Sequence, residues 1–226
     1  MTYADFQKKI KLSRQDICRE AFAENRHSIR VKKENTVVKN LERIFSATLK
    51  ISNKKGFQAM SMRDLGRETQ LSMGALYSYF SSKEDLLAML QHQRRTITQR
   101  VLESSIEKES EPAAKLRAAI LTHLYLSEAM QPWFYFSYME AKNLSKAEQK
   151  MAVASELYTE KLFADVLKQG QSRGYFLARD PQLTASVLKA MLQDWYLKRS
   201  KYRKRNISVD RYSKFVLEFV ETFILQ

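Results

Sequence analysis

Cysteine is almost absent from this chain of 226 residues: Cys18 is the only one, so no intrachain disulfide can form and no cysteine-based zinc cluster can assemble. Histidine is nearly as scarce. His27, His92 and His123 are scattered, and no two stand at the spacing that would place a pair of imidazoles on one helical face, so neither a metal site nor a cofactor is expected. No run approaches the ~20 apolar residues of a membrane-spanning helix, and the first residues lack a signal peptide's apolar core; the expected location is the cytoplasm, with no membrane partner. Acidic residues are in deficit as well. The 25 Asp and Glu stand against 39 Lys and Arg, giving a formal net charge of +14 and a sequence pI near 9.8. Such a balance favours a polyanionic partner, nucleic acid first and an anionic membrane surface second.

Glycine (five) and proline (three) are also sparse, and they stand where helices begin and end. Pro112, Pro132 and Pro181 each precede an apolar-periodic segment, where a fixed φ suits a first helical turn, and Asp180 adds a capping side chain before Pro181. Gly56 follows the periodic run Val37, Leu41, Ile44, Phe45, Leu49; Gly170 and Gly174 close another long run. No segment alternates as a strand does. The pattern predicts an all-α chain with helices near 36–55, 62–69, 73–79, 83–106, 112–129, 132–142, 145–172, 181–204 and 208–225.

With 44% hydrophobic residues the chain has ample material for a core. The last helix carries Tyr212, Phe215, Val216, Phe219, Val220, Phe223 and Ile224 at i, i+3, i+4, i+7, i+8 spacing. With Leu183, Val187, Met191 and Trp195 on the preceding helix, this stripe forms either intrachain core or half of an intersubunit four-helix bundle. In the second case Leu183, Val187, Phe215, Phe219 and Phe223 are the dimer-interface candidates.

The densest signal lies between Ser61 and Asp85, where three helix starts fall close together. Ser61 can cap one helix with Asp64 in answer, Ser72 a second, and Ser81 or Ser82 a third with Glu84 or Asp85. Met60 with Leu65, and Leu71 with Leu76, supply apolar contacts that fix how the chain enters the first two. Two short helices held at a defined angle are what a helix-turn-helix requires.

Gly56-Phe57, Ser61 to Gly66, Ser72 to Phe80 and Ser82 to Leu86 together resemble the DNA-binding domain of TetR-family transcriptional regulators, over roughly residues 36 to 86. The resemblance implies an N-terminal three-helix helix-turn-helix domain and a larger C-terminal helical domain for effector binding and dimerisation. The expected organisation is a basic extension at 1–35, the DNA-binding domain at 36–82 and the C-terminal domain at 83–226. What is implied is a sequence-specific regulator reading a palindromic double-stranded operator as a homodimer, a repressor released by a small effector, which the aromatic residues of the run from Trp133 favour as apolar or aromatic.

Carried over by position, the DNA face comprises Arg63, Ser72, Met73, Gly74, Ala75, Tyr77, Tyr79 and Lys83. Hydroxyls of Ser72, Tyr77 and Tyr79 can bond phosphates, Lys83 adds a charge beside a helix N-terminus, Gly74 permits close backbone approach, and Met73 suits a thymine methyl. Leu65, Leu71, Leu76 and Phe80 are the small core behind that face. The chain departs from the family where alanine is common and Gly66 and Thr69 stand, and where Gln70 replaces a turn glycine.

The aromatic run Trp133 to Tyr138 falls in the segment resembling the family's mobile pocket helix. The effector-pocket candidates are Tyr125, Met130, Trp133, Phe134, Phe136, Tyr138, Met191 and Trp195, with aromatic core as the alternative. Two basic segments lie outside the motif. Residues 1–35 carry nine Lys and Arg against five acids and read either as a DNA-reaching arm or, through Ile10, Ile17, Phe22 and Ile29, as helix docked on the protein. Residues 198–205, with six basic positions, read as a solvated face, a site for an acidic partner or one for an anionic effector. The alternative function is a helical protein that binds nucleic acid without sequence preference; a helical enzyme lacks a converging catalytic set.

Overall fold

The computed structural model describes residues 1–10 and 13–225, and every regular element among them is helical. In chain order these are α1 (Tyr3–Lys9), α2 (Arg14–Glu24), α3 (Glu34–Lys55), α4 (Met62–Thr69), α5 (Met73–Leu76), α6 (Lys83–Glu107), α7 (Pro112–Ala129), α8 (Gln131–Met139), α9 (Lys146–Ser172), α10 (Pro181–Leu197), α11 (Arg199–Lys204) and α12 (Val209–Ile224). Side-chain oxygens start most of them. Thr2, Ser13, Ser61, Ser72, Asp180 and Ser208 each accept an N–H of the first turn, and Ser82 Oγ accepts from Asp85 N–H at 3.0 Å to open α6.

Three helices end earlier than apolar spacing suggests. The segment near 73–79 is α-helical only to Leu76, after which Ser78 and Tyr79 bond three residues back and tighten the turn. α8 stops at Met139 and a 3₁₀ turn, Ala141–Asn143, follows. The helix expected over 181–204 breaks at Lys198, whose φ of −113° and ψ of 34° leave the helical region before α11 resumes. Gly170 does not close a helix either. It lies inside α9 because the ring of Phe176 folds back over it, and Gly174 at φ 72° makes the left-handed exit.

The chain forms two compact units, whose limits differ from the expected boundaries at 35/36 and 82/83. One, termed here the helix-turn-helix unit, comprises residues 11–95 and 132–152; the other, the larger unit, comprises 1–10, 96–131 and 153–226. In the helix-turn-helix unit α3 is central. Val37, Leu41, Ile44 and Phe45 on its inner face pack with Ile29, Leu65, Leu76, Leu86 and Leu90. α2 joins this core through Cys18, Ala21 and Phe22, of which Phe22 alone contributes about 1.5–3 kcal/mol on full burial. α2 is therefore docked helix, and beyond it Arg30 N–H donates to Ser78 O at 2.9 Å just past α5.

In the larger unit α7 packs against α1, α10 and α12. Tyr125 of α7 is buried beneath Phe6 and Tyr3 of α1, with ring centroids 5.6 and 5.7 Å away. Its hydroxyl donates to Asp210 Oδ1 at 2.9 Å, and the same carboxylate oxygen accepts the Tyr3 N–H at 2.8 Å. Burial pushes the Tyr125 phenol up to about 12.

Candidate nucleic-acid interface

The first helix of the pair, α4, opens on a complete capping box. Asp64 N–H donates to Ser61 Oγ at 3.1 Å and Ser61 N–H returns a bond to Asp64 Oδ2 at 2.9 Å. Lys55 donates to the same carboxylate at 2.8 Å, as does Arg67, so Asp64 is held well below the usual carboxylate range, first by Lys55 and then by Ser61. α4 thus stays tied to the end of α3.

The turn is left-handed at Gln70, with φ 55°, at the position where a glycine is common in the family that the sequence resembles. Side chains compensate for this strain. Thr69 Oγ1 donates to Leu65 O at 2.7 Å and Arg43 of α3 donates to Thr69 O, so the last carbonyls of α4 are occupied. Gly66 is also accounted for: a Cβ there would sit 3.2 Å from Leu71 O, where the turn passes closest.

Beyond the turn, Ser72 Oγ accepts the Ala75 N–H at 3.1 Å and α5 begins. Leu76 points wholly into the core, Ala75 is half-buried, and Met73, Gly74 and Tyr77 face outward. A Cβ on Gly74 would meet nothing within 4 Å, so its surface is open. Ser72 and Arg63 are exposed as well. Seven of the eight positions assigned to the DNA face by resemblance therefore lie wholly or partly at the surface, all but Tyr79.

Tyr79 and Lys83 have other tasks. Tyr79 is only 1% exposed, and its hydroxyl accepts from Asn40 Nδ2 of α3 at 2.7 Å. Lys83 Nζ lies 3.1 Å from each of the carbonyls of Phe57, Gln58 and Met60 and 5.0 Å from the centre of the Phe57 ring. All three ammonium donors are thus spent on the turn between α3 and α4. Sequence reasoning missed Asn40 and Arg43, which hold the two ends of the motif from α3. Their signal was two polar side chains three residues apart beside the apolar stripe Val37, Leu41, Ile44.

The aromatic residues assigned to an effector pocket divide between the two units. In the helix-turn-helix unit, Trp133 meets Phe45 edge-on at 5.5 Å, Phe136 meets Phe57 at 5.8 Å, Arg94 lies 5.6 Å over Phe134, and Tyr138 is exposed. Trp133 and Phe136 pack on the core around α3, and Phe134 is buried beside Arg94. In the larger unit Trp195 is fully buried. Its Nε1 donates to Glu128 at 3.0 Å, while Tyr212 and Tyr202 stack at 5.0 Å and Arg199 covers it at 4.5 Å. Met130 is buried, Tyr125 is engaged by α1, and Met191 lines an apolar groove of about 310 Å3 with Leu183, Val187, Phe219 and Phe223.

That groove lies on the α10–α12 face, where Leu183, Val187, Phe215, Phe219 and Phe223 are 45 to 64% exposed. Five large apolar side chains in that state form a patch that soluble chains normally cover. The basic cluster at 198–205 is partly consumed inside the unit: Lys198 and Lys201 pair with Asp194, and Arg199 makes two bonds to Glu128. Burial works against the Asp194 charge, but the hydrogen bonds from Lys198, Lys201 and Tyr202 prevail and hold it at about 2. Cys18 is buried and its thiol pushed up to about 12, which leaves it unreactive. Among the described residues no cluster of His, Cys, Asp and Glu could hold a metal, and no helix is long and apolar enough to cross a membrane.

Comparison with known proteins agrees with this geometry. Residues 44–90 match the family model of bacterial regulatory proteins of the tetR family, and residues 109–220 match the tetracyclin repressor-like C-terminal domain. The chain is 22% identical to the HTH-type transcriptional regulator HbdR of Aromatoleum sp. (strain CIB) over 80% of its own length and 76% of that protein. Its fold resembles that of the ketosteroid transcriptional regulator KstR2 of Mycobacterium tuberculosis, with a TM-score of 0.72 and 17% identity over 88% of this chain and 98% of that one. It also resembles AibR, solved in complex with isovaleryl coenzyme A and operator DNA, with a TM-score of 0.68 and 16% identity over 81% of this chain and 97% of that one. The capped helix pair, the outward face of α5 and the two family matches agree: the chain belongs to the tetR family of bacterial regulatory proteins and is a DNA-binding transcriptional regulator.

Proposed function

We propose that this protein is a homodimeric repressor that reads a palindromic operator and is released by a small apolar or aromatic effector. The observation that carries the reading is the outward surface of α5, where Met73, Gly74 and Tyr77 stand free on a short helix whose opposite side, Leu76, is buried. In this reading Tyr77 and Ser72 bond phosphates, Met73 and Ala75 meet base edges, with a thymine methyl the natural contact for Met73, and Arg63 approaches from α4. Tyr79 and Lys83 set the pose of that surface from behind and make no contact themselves.

The exposed α10–α12 face supports the dimer. A self-complementary apolar patch favours two-fold association, and a two-fold protein matches half-sites one helical turn, about 34–36 Å, apart. Placing a carboxylate at its centre with Phe219→Glu is expected to yield a folded monomer by sedimentation whose operator affinity falls by orders of magnitude. A dimer with undiminished affinity would refute this assignment of the interface.

For the effector, support comes from a relative of the same fold that holds isovaleryl coenzyme A as well as operator DNA, and from the family match over residues 109–220. Release operates by population shift, so operator must weaken effector binding by the factor by which effector weakens operator binding. Effector affinity unchanged by saturating operator would eliminate it.

A further inference from the structure

Residues 25–33, which join α2 to α3, lie outside the helix pair yet are fixed against it. Asn25 O accepts the N–H groups of Ser28 and Ile29 at 3.0 Å, Arg30 N–H donates to Ser78 O at 2.9 Å, and Lys33 O accepts from Thr36 and Val37 at 3.0 Å. The segment is thus anchored at its start, at the end of α5 and at the first turn of α3. Between those anchors its side chains alternate. Ile29 is buried and Val31 packs on the same core, whereas Arg30 and Lys32 are exposed, and Lys33 is still extended at φ −77°, ψ 104°. An extended backbone sends successive side chains to opposite sides, so Arg30 and Lys32 share the outer one.

From Asn25 to Lys33 the sequence holds Arg26, Arg30, Lys32 and Lys33 and no acid. Arg26 lies 5.3 Å from the centre of the Phe22 ring and stays with α2. Among the described residues, neither an ion pair nor a hydrogen bond holds the side chain of Arg30 or Lys32. The two acids that flank this stretch in space or sequence, Asp85 and Glu34, stand in the first turns of α6 and α3, and Asp85 also accepts from Ser81. A helix N-terminus carries about half a positive charge, which offsets each carboxylate locally and leaves the outer cations uncancelled.

The length of α5 says what such cations can meet. Its four residues rise only about 6 Å, whereas a major groove is about 12 Å wide, so what lies beyond the ends of α5 faces the phosphate walls of the groove. Beyond its C-terminal end lies Ser78 with Arg30 against it, and Arg30 and Tyr77 line one surface cleft. We propose that the segment before α3 is a second DNA contact, in which Arg30 and Lys32 each neutralise a phosphate on the backbone beside the groove that α5 enters. The proposal rests on the DNA-face reading of α5 and adds to it a contact from outside the helix-turn-helix motif. Backbone bonds already hold the segment, so binding costs less ordering than a free basic arm would. The contact carries no sequence information and strengthens binding to any duplex.

The test is an anisotropy titration of the full chain against a fluorescent mixed-sequence duplex of about 30 base pairs, repeated across a salt series. Arg30→Gln combined with Lys32→Gln should leave the melting temperature unchanged, since both side chains are exposed, and should lower the slope of log affinity against log salt by about 1.8 per bound protomer, about 0.9 for each phosphate. Arg30→Lys combined with Lys32→Arg keeps both charges and should keep the slope. Arg203→Gln combined with Lys204→Gln removes two exposed charges from the larger unit and should change the slope little. A slope change in that control as large as in the Arg30 and Lys32 pair, or none in the pair, overturns the proposal. Tyr77→Phe separates it from the reading beneath it: weaker binding there with an unchanged slope in the pair refutes this contact alone and keeps the α5 face. Unchanged binding in Tyr77→Phe removes the α5 reading, and the placement of Arg30 and Lys32 beside α5 falls with it.

Discussion

Lys83 separates two accounts of the same motif, one in which its charge docks a phosphate and one in which it holds the turn before α4. Replacing it with methionine keeps the aliphatic stem and removes the ammonium. The lost contacts are three carbonyls at 3.1 Å and the face of Phe57 at 5.0 Å. A hydrogen bond to a charged group is worth about 1.5–3 kcal/mol when buried, but water can replace the ammonium at the exposed Gln58 carbonyl, so the three together are worth about 2 kcal/mol. The cation–π contact adds about 0.5–1 kcal/mol. Urea unfolding should therefore show Lys83→Met destabilised by about 2–3 kcal/mol, a shift in midpoint with little change in slope. DNA titrated across a salt series gives the second reading. A lysine that neutralises one phosphate contributes about 0.9 to the slope of log affinity against log salt, and the turn-holding account predicts no change in that slope. Unchanged stability together with a slope reduced by about 0.9 would refute the structural role.

Other substitutions probe the remaining links. Tyr77→Phe removes one phosphate-facing hydroxyl and should weaken binding about fivefold on every duplex, measured by fluorescence anisotropy, whereas Met73→Ala should reorder preference among duplexes that differ at thymine positions. Gly170→Ala gains about 1 kcal/mol of helix propensity, but its methyl would lie 1.9 Å from the Phe176 ring, so urea unfolding should show a net loss of about 1–3 kcal/mol that turns into a gain in a Phe176→Ala background. Asp194 titrates near 3.8 when unfolded and about 2 when folded; its lowered value means stability that is fully present above pH 4 and is lost as the pH falls toward 2. Asp194→Asn should flatten that acid limb by about 1–2 kcal/mol after allowance for solvent screening, and an acid limb of unchanged steepness would remove the group from the account.

Caps and staples made the helix pair legible because they are local: Ser61 with Asp64 and Ser72 with Ala75 act within one turn, and the sequence displays both partners. The apolar stripe of α12 was legible as a face, but periodicity does not say what covers it, and the exposure of Phe215, Phe219 and Phe223 was visible only in three dimensions. Tyr79 shows the limit most clearly. It stands two residues after Tyr77 in one motif, yet the turn tightens after Leu76 and carries it inward to Asn40, 39 positions earlier in the chain. Lys83 likewise finds its partners in carbonyls, which no side-chain pattern reports. The aromatic run of α8 reads alike as cavity wall or core because the side-chain chemistry is the same in both; the ring contacts of Trp133 with Phe45 and of Phe136 with Phe57 were visible only in three dimensions. The basic N-terminal segment offered two readings, an arm from its charge or docked helix from apolar residues such as Ile17 and Phe22, and α2 follows the second, with Ile17, Cys18 and Phe22 buried.

The central claim, a symmetric reader of specific DNA, is tested most directly by selecting duplexes from a random-sequence library with the purified full chain at physiological salt. The account predicts enrichment of an inverted repeat with half-sites about 10–10.5 base pairs apart, centre to centre, and loss of that enrichment in Phe219→Glu. Recovery of duplexes with no shared sequence, bound with equal affinity and a steep salt dependence, would contradict it and leave a basic protein that binds nucleic acid by charge alone.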